Sequence, residues 1–258
     1  MAGILDILTI DQIDDDHFIT RVVDKEFPGL YGGQVAAQSL LAACRTISEH
    51  QVPHSLHAYF LRAGRSAVPI ELQVFRDRDG RSYAARRIVA TQSGEVIFNM
   101  SASFHELEDG PDVQAVSMPS VLPPLTENSQ PVPRGSDDIE LVNASPNDEH
   151  EMPYRTWTRA RIELPDDPHI HACVLTYVSD FYTGLVQFEE FPKNPRVASL
   201  DHAMWFYRAV NMNHWHLMDW QAQSMANGRG HYVGHIYDDQ GRLVAGLGQE
   251  MVVRAART

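Results

Sequence analysis

A chain of 258 residues, 43% of them hydrophobic and with a formal net charge of −13, is long for one small unit and sufficient for two that share a core. No apolar run reaches the length of a membrane-spanning helix, the start lacks a charged-then-apolar leader, and the end reads Ala-Arg-Thr rather than a peroxisomal tripeptide. A non-secreted protein without a membrane span, located in the cytoplasm, is expected.

The acidity is local. Between Glu106 and Pro153 eleven Asp or Glu residues face the single Arg134, so all but three of the net negative charges lie there. The remainder is nearly neutral and compatible with an anionic ligand, while its few basic residues form no long stripe of the kind nucleic acid needs. Cys44 and Cys173 stand far apart in apolar surroundings without metal-ligand spacing, which suits buried thiols in a reducing compartment.

In chain order, Met1 to Phe27 is mixed, with a first strand expected over Phe18 to Val23. Gly32-Gly33 precedes Gln34 to Cys44, rich in helix formers and apolar on most of its circumference, which predicts a buried helix. Pro53 ends that region and a strand around His57 follows. Ile70, Leu72 and Val74 alternate with polar residues, Asp77 to Gly80 supplies a turn, and Ser82 to Thr91 is again extended. After a Ser93-Gly94 turn, every second residue from Val96 to Phe104 is apolar. One long helix followed by an antiparallel sheet, without βαβ alternation, describes an α+β unit whose sheet can wrap the helix.

Glu106 to Pro153 holds eight of the fifteen prolines and is expected to be a surface linker, partly disordered. Arg155 to Leu164 alternates as a strand. His171 to Phe188 occupies the second helix position, weakened by Thr183-Gly184. The aromatic-rich stretch Val197 to Ala209 reads as a strand buried on at least one face, and Trp215 to Gln223 follows it. A turn at Asn227 to Gly230 then leads to a final hairpin closed by Asp238 to Gly241.

The second series echoes the first. Arg62 answers Arg208 and Tyr31 answers Tyr177, each 146 residues on; Gly94 answers Gly241 at 147 and Gly80 answers Gly228 at 148. The shared order predicts a duplication, with units over 1–105 and 154–258 joined by the linker 106–153.

The last strand should point Leu243, Ala245, Leu247, Gln249, Met251 and Val253 inward, which sets an amide on an apolar face. Left unpaired, it costs roughly 1–3 kcal/mol, so it needs a partner or a purpose. The first copy has Ala102 there. The same spacing sets Asp180 against Gln34, at the expected start of the second helix, where Asp is a favoured N-cap or a carboxylate able to orient and deprotonate a water. Ser199, near a strand start, signals nothing alone. Ser199, Asp201 and His202 resemble a compressed hydrolase triad, but strand neighbours face opposite ways, so Asp201 and His202 cannot address one substrate unless a bulge intervenes. Both read as buried, hydrogen-bonded structural residues. Neither a nucleophile elbow nor a zinc-type histidine pair occurs, so covalent and metal catalysis lack candidates.

The segments Tyr31 to Gln38, His54 to Arg62, Arg81 to Arg87, Ser101 to Phe104, Ser199 to Phe206 and Gln249-Glu250 together resemble the acyl-CoA thioesterase II family. The resemblance runs through both copies in order and fails in the linker. Departures are Tyr31, where Phe is common, and a less helix-like run after Asp180. The resemblance implies an α+β double hotdog fold, two tandem helix-wrapping sheets in one chain, usually assembled into homo-oligomers. It also implies a water held by Asp180, Ser199 and Gln249, and hydrolysis of medium- to long-chain fatty acyl-CoA to free fatty acid and CoA without metal or cofactor. Gly32 and Gly33 are expected to bring backbone N–H groups to the thioester oxygen. His54, Arg86 and Arg87 are expected to contact substrate; the arginines belong with Arg62, Arg65 and Arg81 to the densest basic region, which could meet the nucleotide phosphates, although most arginines there read as solvated surface charge. Two alternatives remain: an enoyl-CoA hydratase of the same broad fold, and an acyl-CoA-binding module without catalysis, favoured if structural hydrogen bonds occupy Gln249 fully.

Overall fold

The computed structural model describes residues 3–22, 29–127, 130–132, 136–145 and 152–255. The N-terminal half contains α1 (Ile4–Ile7), β1 (Ile10–Asp14), β2 (His17–Thr20), α2 (Gly32–Cys44), β3 (Gln51–Phe60), β4 (Glu71–Asp79), β5 (Tyr83–Gln92) and β6 (Glu95–Glu106). Next come β7 (Gln130–Pro131), β8 (Ile139–Asn143), β9 (Arg155–Ala160), α3 (Pro168–Val178) and a 3-10 turn at Gly184–Gln187. The chain closes with β10 (Arg196–Ser199), β11 (Asp201–Phe206), β12 (His216–Ala226), β13 (Arg229–Asp238) and β14 (Leu243–Arg254). Among the described residues, no helix is long and apolar enough to cross a membrane.

Among the described residues fourteen strands join one antiparallel sheet, ordered β1-β2-β4-β5-β6-β3-β11-β14-β13-β12-β9-β8-β7, with β10 paired to β14. The order mirrors itself about the β3–β11 seam, where Ala58 pairs with His202 and His57 with Ala203. Alternation sets the inside: Leu56 and Ala58 of β3 and Met204 of β11 are buried, whereas His57, Tyr59 and Trp205 are exposed on the opposite face. The buried face holds α2 and α3 packed on one another, with Cys44 and Cys173 both buried as free thiols; burial pushes the Cys173 thiol well up. This is the double hotdog arrangement, and the expected α2 differs from the observed one by two residues at its start.

The duplication extends to irregularities. β4 and β12 each carry a one-residue bulge, at Asp77 and at Gln223, and β3 bulges at His54 where the β10–β11 junction bulges at Leu200. The strands therefore match at 146 residues. The helices do not. Tyr31 is the N-cap of α2, whereas Tyr177 is the penultimate residue of α3. The expected helix over 171–188 instead ends at Val178, and residues 179–195 form an added stretch between α3 and β10. Asp180 thus lies two residues past a helix end, and neither caps a helix start nor matches Gln34. Counted from the helix ends, its counterpart is Thr46.

Part of the acidic, proline-rich stretch is structured. β8 pairs along β9, and Trp157 donates its indole N–H to Leu122 O at 2.8 Å. Gln114 clasps the β13–β14 turn through Gly241 O and Leu243 N. Arg134 and the end of the expected first strand lie outside the described residues.

Candidate active site

Three separate segments deliver the polar centre. Ser179 ends α3 as its C-cap, with Oγ 2.9 Å from Thr176 O, and the next residue, Asp180, turns its carboxylate toward the start of α2. Ser199 closes β10. Gln249 sits inside β14, between Gly248 and Glu250 and opposite Tyr232 of β13. Gln249 Nε2 donates to Asp180 Oδ1 at 2.9 Å and to Ser199 Oγ at 2.8 Å, while Ser199 Oγ donates to the same carboxylate oxygen at 3.2 Å. The buried amide is thus paired, and with the two residues that the resemblance singled out.

Its orientation is set from behind. His202 Nδ1 is hydrogen-bonded to Gln249 Oε1, and His202 Nε2 lies 3.0 Å from Ser179 Oγ. Flipping the amide would aim its oxygen at the Asp180 carboxylate, so the carboxylate fixes which end faces which partner. With Oε1 an acceptor, the imidazole carries its proton on Nδ1, and its bare Nε2 shares the single Ser179 hydroxyl proton with Thr176 O. Burial lowers the His202 pKa against the opposing pull of Asp180, Gln249 and Asp201, which keeps the ring neutral.

The bulge at Leu200 makes this possible. Ser199 pairs with Met251 but Ala203 with Gly248, so one extra residue lies on the β10–β11 side, and Ser199 and His202 turn to the same face. Asp201 turns elsewhere and accepts from Glu250 N at 2.7 Å, spanning the strand break. The compressed triad is therefore no triad, because Asp201 and His202 still face different ways, yet the bulge, which simple alternation lacks, lets its histidine support the amide. A local signal existed: His202 falls where the first copy has buried Leu56, the same kind of mismatch that exposed Gln249 against Ala102.

Asp180 and Ser199 open on a cavity of about 440 Å³ whose apolar wall includes Val35, Phe60, Ile97 and Phe98. Gly32 lines it as well. A Cβ there would stand 2.6 Å from Asp180 Oδ2 and 2.9 Å from the Phe60 ring, so only glycine allows the carboxylate this close to the helix start. No side chain caps α2, which leaves its positive end turned toward the cavity. Gly33 serves packing instead: a Cβ would lie 2.4 Å from Tyr177 O, the atom that accepts from Tyr31 Oη at 2.7 Å. The Phe181 ring stacks on Tyr31 at 5.4 Å, holding the added stretch against α2.

Three expected substrate contacts lie elsewhere. Arg86 is 1% exposed, with Nε on Thr46 Oγ1 at 2.8 Å and its other nitrogens on Thr46 O, Arg78 O, Ala85 O and Asp79, so no phosphate can reach it. Arg87 stacks over Phe75 at 4.2 Å and pairs with Asp77 at 3.5 Å. His54, at the β3 bulge, bonds Ser103 Oγ at 2.7 Å beside the Tyr83 and His105 rings. None of the three lines the cavity; of the basic region, Arg62 does, and Arg65 donates to Ser93 Oγ at 3.1 Å.

Comparison with known proteins adds the family. A model of the acyl-CoA thioesterase N-terminal domain matches residues 24–105 and one of the acyl-CoA thioesterase C-terminal domain matches residues 106–253. The chain is 32% identical to acyl-coenzyme A thioesterase 8 of Homo sapiens, over 96% of this chain and 88% of that protein. It is likewise 32% identical to acyl-CoA thioesterase 2 of Haemophilus influenzae, over 98% of each. A crystal structure of an acyl-CoA thioesterase II from Mycobacterium marinum superposes with a TM-score of 0.84 at 36% identity, covering 98% of this chain and 97% of that one. A duplicated hotdog with its polar centre on one side, matched along both halves by these proteins, belongs to the acyl-CoA thioesterase II family of thioester hydrolases.

Proposed function

We propose that this chain hydrolyses medium- to long-chain fatty acyl-CoA to free fatty acid and CoA by direct attack of water held by Asp180, Ser199 and Gln249. The observation that carries the reading is the meeting of a hydroxyl and an amide on one Asp180 oxygen beside an apolar cavity. Water entering this triangle donates to Asp180, which takes a proton as the water oxygen bonds to the thioester carbon. The carbonyl oxygen becomes an oxyanion near the uncapped start of α2, where Gly32 N–H and the helix dipole favour negative charge. Collapse breaks the C–S bond, CoA leaves as thiolate, and the proton held by Asp180 is returned to it. The acyl chain lies against Val35, Phe60 and Phe98.

One observation favours a second reading. Every polar atom of the Gln249 side chain already has a partner, as a binding module without turnover would require. Two of those partners, however, are the residues facing the cavity, and the 3.2 Å Ser199 contact is long enough for water to replace. Thiol release from acyl-CoAs of graded length separates the readings: turnover by wild type that is lost in Asp180→Asn supports hydrolysis, whereas saturable binding without thiol release supports the module. The proposal includes a homo-oligomer in the cytoplasm, for which light scattering and fractionation are the tests.

A further inference from the structure

The strand that ends in Ser199 also leads away from the cavity. Along β10 the order outward is Ser199, Ala198, Val197, Arg196. Val197 and Ala198 line the cavity and also a second recess of about 270 Å³, which is completed by Arg196, Val252 and Arg254. The two spaces therefore adjoin across β10.

Arg196 is the register partner of Arg254, and both are exposed. Like charges directly opposite on a β ladder repel. Nearby Arg229 is neutralised by Glu250 at 3.0 Å, but among the described residues neither Arg196 nor Arg254 has a carboxylate within ion-pair distance. On a chain of net charge −13, an uncompensated cross-strand arginine pair is a local reversal of sign. An anion between the two would relieve the repulsion, and planar guanidinium forks suit phosphate oxygens.

The spacing fits a particular anion. Arg196 stands three residue steps from Ser199, about 10 Å at the usual rise, on the face that alternation sets opposite Ser199, so the path rounds β10, which pairs with β14 alone, and each arginine side chain reaches several ångströms further. Pantetheine, with two amide units, is about as long as four extended residues, roughly 14 Å. We propose that Arg196 and Arg254 form the subsite for the phosphates of the CoA nucleotide, with the pantetheine arm crossing Val197 and Ala198. This deepens the thioesterase reading and rests on it. The phosphate role expected of Arg86 and Arg87 moves to residues that the sequence did not mark.

The test compares an acyl-CoA with the same acyl group on pantetheine, which has no nucleotide, using wild type, the Arg196→Ala and Arg254→Ala variants, and their combination. The double variant should raise KM for acyl-CoA about tenfold or more with kcat unchanged. Its turnover of acyl-pantetheine should match wild type, which also establishes that it folds. Wild-type preference for acyl-CoA should shrink as salt rises. Equal losses on both substrates, or an unchanged KM for acyl-CoA in a wild-type background that turns over both, overturn the subsite alone. Wild type that releases no thiol from either compound overturns the thioesterase reading and the subsite together.

Discussion

In the C-terminal half the second residue past the helix end is Asp180, and it meets Ser199 and Gln249; in the N-terminal half the matched residues are Thr46, Pro53 and Ala102. Where β13 carries Tyr232, β5 carries Arg86, and both are fully buried. The Tyr232 hydroxyl donates to Tyr182 O at 3.2 Å, and burial, aided by Asp180 and Asp201, pushes its pKa well up, so it stays neutral beside the carboxylate. Arg86 fills the corresponding space with a guanidinium and gives its hydrogen bonds to Thr46 and to the β4–β5 backbone. One half keeps a carboxylate beside a cavity; the other buries a satisfied cation in the same location. Duplication permits this divergence because the two copies share a fold without having to keep the same buried groups.

The mouths differ too. Arg62 and Arg208 make the same strand-edge bond, to Val96 O and Leu243 O respectively, but Asp112 from the acidic stretch pairs with Arg208, whereas Arg62 lines the open cavity. The stretch between the halves thus covers one of the two equivalent places.

The strongest way to break this comparison is to swap chemistry at the matched pair. Asp180→Asn should lower kcat about 10³-fold in a thiol-release assay, whereas Thr46→Val should leave kcat alone and cost about 1–2 kcal/mol of stability. Equal activity losses would mean that both halves carry the reaction. Next in size is Arg86→Met, which should lose about 3 kcal/mol in urea denaturation while sparing kcat and KM. A raised KM at full stability would return Arg86 to the substrate.

His202→Ala sharpens the contrast within the polar centre: with the Gln249 amide free to turn, kcat should fall about 100-fold while KM is spared, and His202→Asn, which restores a donor, should recover part of it. A change in KM alone would contradict a positioning role. The smallest effect concerns His216, which is buried where the N-terminal half has Ile70. Burial lowers its pKa to about 4 from 6.5. The folded protein keeps this ring neutral while the unfolded chain takes up a proton below 6.5, so stability is highest above that pH and declines from 6.5 toward 4, by about 2 kcal/mol at pH 5. His216→Leu should flatten that part of the pH–stability curve measured by denaturant midpoints. His171 and His202, also lowered by burial, contribute in the same direction.

Much of the fold was legible because its signals are local. Alternation in β6 and β14, the helix formers from Gln34 to Cys44, and the Ser93-Gly94 and Asn227-Gly228 turns, whose residues take positive φ, each read out within a few neighbours. Repetition then gave the duplicated architecture. The repeat misled at the helices, since constant spacing through the strands conceals a shift that begins and ends inside the loops. Asp180 was consequently set at a helix start, although the added residues 179–195 follow α3.

Composition and period therefore determined two α+β units, their inward faces and the oddity of a lone amide on one of them, because each depends on residues close in the chain. Which atoms meet that amide depended on a bulge at Leu200, on where α3 stops and on the packing of α3 against α2. The fate of Arg86 was likewise decided by the acceptors that folding gathers around it: a guanidinium reads as surface charge in sequence, and only a full set of partners, the Thr46 hydroxyl and carbonyl, two strand carbonyls and the Asp79 carboxylate, turns it into core.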